Sequence, residues 1–256
     1  MERSELARRY EAAIRIAEQA SIFLLENEEL KYQVTSKAEN DYVTEADKAC
    51  QKLIEEKITE LFPDDTIFGE EDSKSGNQEG RWIIDPIDGT VNYLNSYPNY
   101  TVSIAYEDSE GLAIGVISVV RQKEIFHAMR GSGAFLNGKP ISTNETQDNM
   151  KSLAILVPPH RHHELIDAYM VKMRKFYELF SDMRSLGSAA CSLCYAAAGR
   201  VAVYYEEYLA LYDIAAGLVI LKEAGGEYTM RMESEYRIDL LAGSKKAHEA
   251  SLGIIR

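Results

Sequence analysis

The sequence predicts an α+β first half built on an antiparallel sheet, joined to an α/β second half. Three observations carry this expectation. Short strand-like segments separated by glycines and charged turns crowd residues 66–129. After residue 152 helices and strands alternate, and no repeat, low-complexity tract or linker interrupts the 256 residues. The rhythm changes near Thr143, so the chain divides into halves of residues 1–143 and 144–256 within one body.

Leu6, Tyr10, Ala13, Ile14, Ala17, Ser21 and Leu24 recur at helical spacing and predict an opening amphipathic helix. A second helix is expected from Glu45 to Phe62, with Leu53, Ile54, Ile58 and Leu61 on its apolar face. Pro63 and Asp64-Asp65 stop it. Strands follow at Thr66–Gly69, Arg81–Asp85, Thr101–Tyr106, Leu112–Val120 and Glu124–Met129, the pattern of an antiparallel meander, and Asn137-Gly138 signals a hairpin. Beyond Ser152, strand Leu153–Val157 precedes a helix over Leu165–Phe180. Helix Ser188–Ala198 leads to strand Val201–Tyr205, and helix Ile214–Ala224 leads to strands near Glu227–Met230 and Asp239–Ala242.

Hydrophobic content of 46% with 27% charged residues is that of a soluble globular protein. The longest apolar runs, such as Ile214 to Leu221, are too short to span a bilayer, so no membrane partner is expected. Met1-Glu-Arg-Ser-Glu lacks the apolar core of a signal peptide, and the expected location is the cytoplasm. A net charge of −13 argues against direct binding of nucleic acid, whose phosphates are bound by Lys and Arg. The three cysteines, Cys50, Cys191 and Cys194, fit a reducing compartment. Cys191-Ser-Leu-Cys194 has redox spacing, but it lies in an alanine-rich helical run and reads as buried structural thiols.

The chemistry concentrates in Trp82-Ile-Ile-Asp85-Pro86-Ile87-Asp88-Gly89-Thr90, where an apolar strand ends in two carboxylates. Pro86 fixes its own φ and keeps Asp85 extended. A spacing of three cannot put both acids on one face of a straight strand, so the chain has to turn between them, which would also aim the Ile87 carbonyl inward. Two carboxylates and a backbone oxygen suit Mg²⁺, which prefers hard oxygen ligands. Taken alone, such a pair among 41 acidic residues is the pattern of a surface turn.

Other segments offer partners. Thr66-Ile-Phe-Gly69-Glu70-Glu71-Asp72 repeats the strand-then-acid design, with Glu70 as the candidate ligand and Glu71 and Asp72 expected to be exposed. Asp213 stands before a small-residue helix, where a plain N-cap is the simpler reading. Thr44 with Asp47 forms a capping-box pattern, or else Asp47 pairs with a catalytic hydroxyl. The Arg184-Ser-Leu-Gly187-Ser188-Ala189-Ala190 turn opens a helix whose first amides could receive an anion or substrate hydroxyls. His160-Arg161-His162-His163, flanked by Pro158-Pro159, reads as the solvated approach to a helix rather than a metal site.

Together, in this order and spacing, Gly69-Glu70-Glu71, Asp85-Pro-Ile-Asp-Gly-Thr90 and Tyr212-Asp-Ile-Ala-Ala-Gly217 resemble the inositol monophosphatase family of lithium-sensitive, Mg²⁺-dependent phosphatases. The resemblance extends from Asp41–Asp47 to Tyr204-Tyr205-Glu206 and implies a layered α-β-α-β-α sandwich. It implies that Glu70, Asp85 and the Ile87 carbonyl bind a first Mg²⁺, and that Asp85, Asp88 and Asp213 bind a second, within a complement of two or three ions. Glu70 and Thr90 would position the attacking water, with Asp47 orienting Thr90. The Gly89 and Thr90 amides would receive the phosphate. Asp88, Gly187, Ser188, Ala189, Glu206 and Asp213 would contact the alcohol portion of the substrate. A homodimer is what the resemblance suggests. Tyr212 departs from the family by replacing a tryptophan, and the segment Pro158–Glu164 is individual, which bears on substrate fit.

The expected reaction is hydrolysis of inositol monophosphate or a related small sugar or polyol phosphate, without a phosphoenzyme. Within the family the alternatives are fructose-1,6-bisphosphatase, 3′-phosphoadenosine 5′-phosphate phosphatase and histidinol phosphatase activities. Asp88-Gly-Thr-Val91-Asn92-Tyr93 is nearer the inositol type than the nucleotide type. A haloacid-dehalogenase-like phosphatase needs D-x-D where this chain has D-x-x-D. From a different class, a protein-interaction role is the remaining alternative.

Overall fold

The structure is a computed structural model and describes residues 2–38, 41–71, 73–74, 80–144, 149–159 and 162–255. Helix α1 (Arg3–Glu26) opens the chain and buries Leu6, Ala13, Ala17, Ser21 and Leu24, as its periodicity requires. A two-stranded hairpin, β1 (Val34–Ala38) and β2 (Asp41–Thr44), leads into α2 (Glu45–Leu61). Here Thr44 and Asp47 form a complete capping box. The buried face of α2 includes Cys50, Ile54 and Ile58. Leu61, expected on that face, lies at the end of the helix and is 37% exposed.

The strands β3 (Thr66–Gly69), β4 (Ser73–Lys74), β5 (Arg81–Asp88), β6 (Thr101–Asp108), β7 (Gly111–Val119), β8 (Glu124–Met129), β9 (Ala134–Leu136) and β10 (Lys139–Ile141) form one sheet. The order is β10-β9-β8-β7-β6-β5-β3-β4. The short helix α3 (Thr90–Leu94) leaves the end of β5. From β5 to β10 the sheet is the expected antiparallel meander, but β3 joins β5 in parallel, which brings the ends of both strands to the same edge. Asn137 and Gly138 take the left-handed conformation of the expected hairpin.

The second half contributes β11 (Leu153–Val157), α4 (Ile166–Leu179), β12 (Asp182–Arg184), α5 (Ala189–Ala197), β13 (Val203–Leu209), α6 (Leu211–Glu223), β14 (Glu227–Ser234), β15 (Arg237–Gly243) and α7 (Lys245–Ile255). Its mixed sheet has the order β12-β11-β13-β15-β14. Strand β13 starts two residues later than expected and runs on past Glu206.

The three core clusters give the layers. One joins α1 and α2 to the outer face of the first sheet. A second packs α5 and α6 between the two sheets. The third seats α4 and α7 on the far face of the second sheet. The result is the α-β-α-β-α sandwich that the resemblance implies. Close approach is built into the middle layer: a Cβ on Gly115 of β7 would lie 2.1 Å from the Ala216 carbonyl oxygen of α6. Among the described residues no helix is long and apolar enough to cross a membrane. The three thiols are buried and outside any disulfide, and burial pushes Cys191 up to about 12, away from the reactive thiolate range.

Candidate metal centre and cleft

Strand β5 stays paired with β6 to its end through a bulge. Asp85 faces Ser103 and Asp88 faces Thr101, so three steps on β5 match two on β6. This is the turn that the Asp-x-x-Asp spacing demands, and it re-aims Asp88 beside Asp85. The bulge is braced locally: the Ile87 amide donates to Asp85 Oδ1 at 3.0 Å, and the Cys50 thiol of α2 donates to the Pro86 carbonyl at 3.7 Å. Gly89 then turns the chain with φ +95°, where a Cβ would meet the Gly187 carbonyl at 3.0 Å.

Parallel pairing sets Glu70 alongside, since its amide donates to the Ile84 carbonyl at 3.3 Å, next to Asp85. From the second half, Asp213 arrives on the first turn of α6. It is not the N-cap: the helix begins at Leu211, and Asp213 Oδ2 accepts the Ala210 amide at 2.6 Å. One carboxylate oxygen each from Asp85, Asp88 and Asp213 lies within 4.8 Å of the others. Burial first, then the charges of Glu70, Asp88, Asp213 and Asp47, hold Asp85 well above the usual carboxylate range.

Asp88 sits at the amino terminus of α5. Its carboxylate accepts the Ala190 amide at 2.8 Å, the Ala189 amide at 3.2 Å, the Thr101 hydroxyl at 3.3 Å and the Ser188 hydroxyl. Burial raises the Asp88 carboxyl while these donors pull it the other way. The amides expected to receive an outside anion or substrate hydroxyls therefore hold an anion of the chain itself.

Thr90 donates to Asp47 Oδ1 and to the Ile87 carbonyl, both at 3.1 Å. Asp47 thus serves both readings of its motif, capping α2 and holding a hydroxyl. Burial pushes its carboxyl up to about 6 despite its bonds with Thr44.

Glu70, Asp85, Ile87, Asp88, Thr90 and Asp213 line one cleft of about 760 Å³ together with Gly89, Gly187, Ser188, Ala189 and Glu206, while Asp47 lies buried behind Thr90. Glu206 is buried and accepts the Tyr204 hydroxyl at 2.6 Å. No lysine or arginine is among the described lining residues. Asp85, Asp88 and Asp213, with Glu70 on the same cleft, form an all-oxygen donor set that fits divalent Mg²⁺.

Three residues add to the expected site: Asn92, whose motif pointed to the inositol type, Thr101 and Tyr208. Asn92 Nδ2 donates to the carbonyls of Asn99 at 2.6 Å and Leu186 at 2.7 Å, tying the two halves at the cleft it lines. Thr101 faces Asp88 through a register that only the bulge creates. Tyr208 enters the cleft wall at an irregularity of β13. Of the histidine run, His163 lines the cleft and His162 packs on Tyr208, while His160 and Arg161 lie outside the described residues, as does Asp72.

Residues 5–254 match the model of the inositol monophosphatase family. A fructose-1,6-bisphosphatase/inositol-1-monophosphatase of Aquifex aeolicus is 36% identical over 228 residues, covering 88% of this chain and 86% of that protein. The Nus factor SuhB of Pasteurella multocida is 38% identical over 221 residues, 84% of this chain and 82% of that one. The solved structure of the extragenic suppressor protein suhB from Bartonella henselae superposes with a TM-score of 0.90 at 29% identity, covering 96% of this chain and 97% of its own. With its floor of converging acids and this agreement along nearly its whole length, the chain belongs to the inositol monophosphatase family, a family of metal-dependent phosphatases.

Proposed function

We propose that this chain is a Mg²⁺-dependent phosphomonoesterase that hydrolyses inositol monophosphate or a related small sugar or polyol phosphate, with Li⁺ as an inhibitor. The observation that carries the reading is the convergence of Asp85, Asp88 and Asp213 within 4.8 Å, on a cleft that also contains Thr90 and Glu70. Glu70, Asp85 and the Ile87 carbonyl would hold one ion, and Asp85, Asp88 and Asp213 a second. When bound, Mg²⁺ supplies charge neutralisation for the phosphate and a lowered pKa for water.

The chain's own residues do the rest. The Thr90 proton is committed to Asp47 and the Ile87 carbonyl, so towards the cleft its oxygen offers only lone pairs. It therefore accepts a hydrogen bond from the attacking water and, with Glu70, would turn the water's own lone pair towards phosphorus. The Gly89 and Thr90 amides would receive the phosphate oxygens. Gly187, Ser188, Ala189 and Glu206, with Asp88 and Asp213, would face the alcohol. In this reading residues 1–143 carry most of the metal ligands. Residues 144–256 bring Asp213 and the alcohol contacts. The working form is a cytoplasmic homodimer.

A phosphate-release panel over inositol 1-phosphate, fructose 1,6-bisphosphate, 3′-phosphoadenosine 5′-phosphate and histidinol phosphate tests it. Mg²⁺-dependent release strongest from inositol 1-phosphate is expected, and preference for one of the others would reassign the substrate. The relative from Pasteurella multocida is named a Nus factor. A protein-interaction role beside the catalytic one is accordingly the second reading, and a partner captured equally by the native chain and by Asp88→Asn would support it.

A further inference from the structure

Tyr208 adopts φ +66° without being a glycine. Aromatic residues avoid this region, and where one is held there the surroundings have to enforce it. The enforcement is visible. Glu206 pairs with Leu240 and Leu209 with Ile238, so β13 carries an extra residue between them. The Tyr208 amide at this irregularity donates to Asp239 Oδ1 at 3.2 Å, and the same oxygen takes the Arg237 guanidinium. One carboxylate therefore pins both the bent backbone and the cation beside the ring.

The ring is clamped as well. The Arg237 guanidinium carbon lies 3.4 Å from its centroid, and the His162 ring centroid lies 4.1 Å away at 35°. Two groups this near one centroid would overlap if they shared a face, so they cover opposite faces. Neither face is left to stack on a ligand. Tyr208 itself lines the cleft, two residues beyond Glu206, with Leu209 and Pro158 also among the lining residues.

We infer that Tyr208 is a specificity-determining residue, a fixed barrier that limits the size of the leaving alcohol and selects compact polyol phosphates over larger ones such as nucleoside monophosphates. The inference rests on the phosphomonoesterase reading and on Glu206 facing the alcohol. The barrier is steric: the ring does the work, and the hydroxyl is dispensable.

The test compares kcat and KM for inositol 1-phosphate and adenosine 2′-monophosphate in the native chain, Tyr208→Gly, Tyr208→Asn and Tyr208→Phe. Glycine and asparagine both tolerate positive φ, so the first two variants keep the backbone at the bulge. Each is expected to raise kcat/KM for the nucleotide relative to inositol 1-phosphate by about tenfold or more, mainly through KM. Tyr208→Phe should keep the native ratio. An unchanged ratio in Tyr208→Gly and Tyr208→Asn, with inositol 1-phosphate still hydrolysed, would overturn the inference and leave the phosphatase reading standing. A native chain inert towards both compounds would overturn the phosphatase reading, and the inference with it.

Discussion

The Ala190 amide donates to the Asp88 carboxylate at 2.8 Å, and through this bond the second half of the chain holds an acid of the first. Asp88 occupies the positive end of α5 as an internal anion, one of its oxygens taking three donors and the other only the Ala189 amide. The less engaged oxygen is the one left for a cation. Position and charge of a proposed ligand are thus set from across the interface between the two sheets.

Ser188 does double service here, donating to Asp88 and accepting the Cys191 amide at 3.2 Å as the N-cap of α5. Ser188→Ala should lower stability by about 1 kcal/mol. It should also raise the Mg²⁺ concentration needed for half-maximal turnover by roughly 10-fold to 100-fold, as the loss of a group that orients a ligand does. Chemical denaturation and a Mg²⁺ titration of phosphate release measure the two effects separately.

Thr90→Val preserves shape and deletes the hydroxyl tied to Asp47. Turnover should fall about 100-fold or more with little change in KM, because a group that aligns the water acts on the reacting step. Asp47→Asn should weaken the same function, and the double variant should lose much less than the product of the two single losses. Multiplicative losses would mean that the two residues act independently.

The acid cluster makes the metal-free protein sensitive to pH. Asp47 has a folded pKa of about 6 against an ordinary 3.8, and Asp85 is shifted in the same direction. A carboxyl raised on folding binds its proton more tightly in the folded chain, so its stabilising contribution is present below 3.8 and is lost as pH rises through about 6. His127 and His248, lowered by burial, act with the opposite sign. The difference between melting temperatures in Mg²⁺ and in EDTA cancels those distant histidines. It should widen from pH 4.5 to pH 7.5, whereas a constant difference would remove the cluster from the metal-binding account.

Gly115→Ala probes the middle layer. The added methyl would fall 2.1 Å from the Ala216 carbonyl oxygen, so α6, which carries Asp213, has to move. A loss of about 1–3 kcal/mol is expected from overpacking. A weakened Mg²⁺ response should accompany it, and an unaltered response would show that Asp213 tolerates displacement of its helix.

Much of this was legible from residues whose neighbours in sequence are also their neighbours in space. The spacing of Asp85 and Asp88 demanded a turn, and the bulge supplies it. The helical repeat of Leu6, Ala13, Ala17 and Leu24 described the buried face of α1. The capping box of Thr44 and Asp47 is complete. What escaped depends on distant partners. The parallel pairing of β3 with β5 leaves no local pattern, yet it is what brings Glu70 to Asp85. The short, polar hairpin β1–β2 has no apolar alternation to declare it, whereas α7 is as amphipathic as α2 and packs Ala247 and Leu252 on the second sheet, so its pattern was there to be read. Asp213 looked like a cap because α6 begins three residues earlier than its small-residue run suggests. Tyr208 could not be foreseen, since its strained backbone exists only in the register of β13 with β15.

The central claim is that Asp85, Asp88 and Asp213 together hold the cation on which phosphate release depends. Titrating Mg²⁺ into a phosphate-release assay on inositol 1-phosphate, with the native chain and with Asp213→Asn, tests it most directly. Saturable, EDTA-sensitive turnover in the native chain is predicted, with at least a roughly 100-fold loss in Asp213→Asn while its circular dichroism spectrum stays native. Near-native turnover in Asp213→Asn at the same Mg²⁺ concentration would contradict the account.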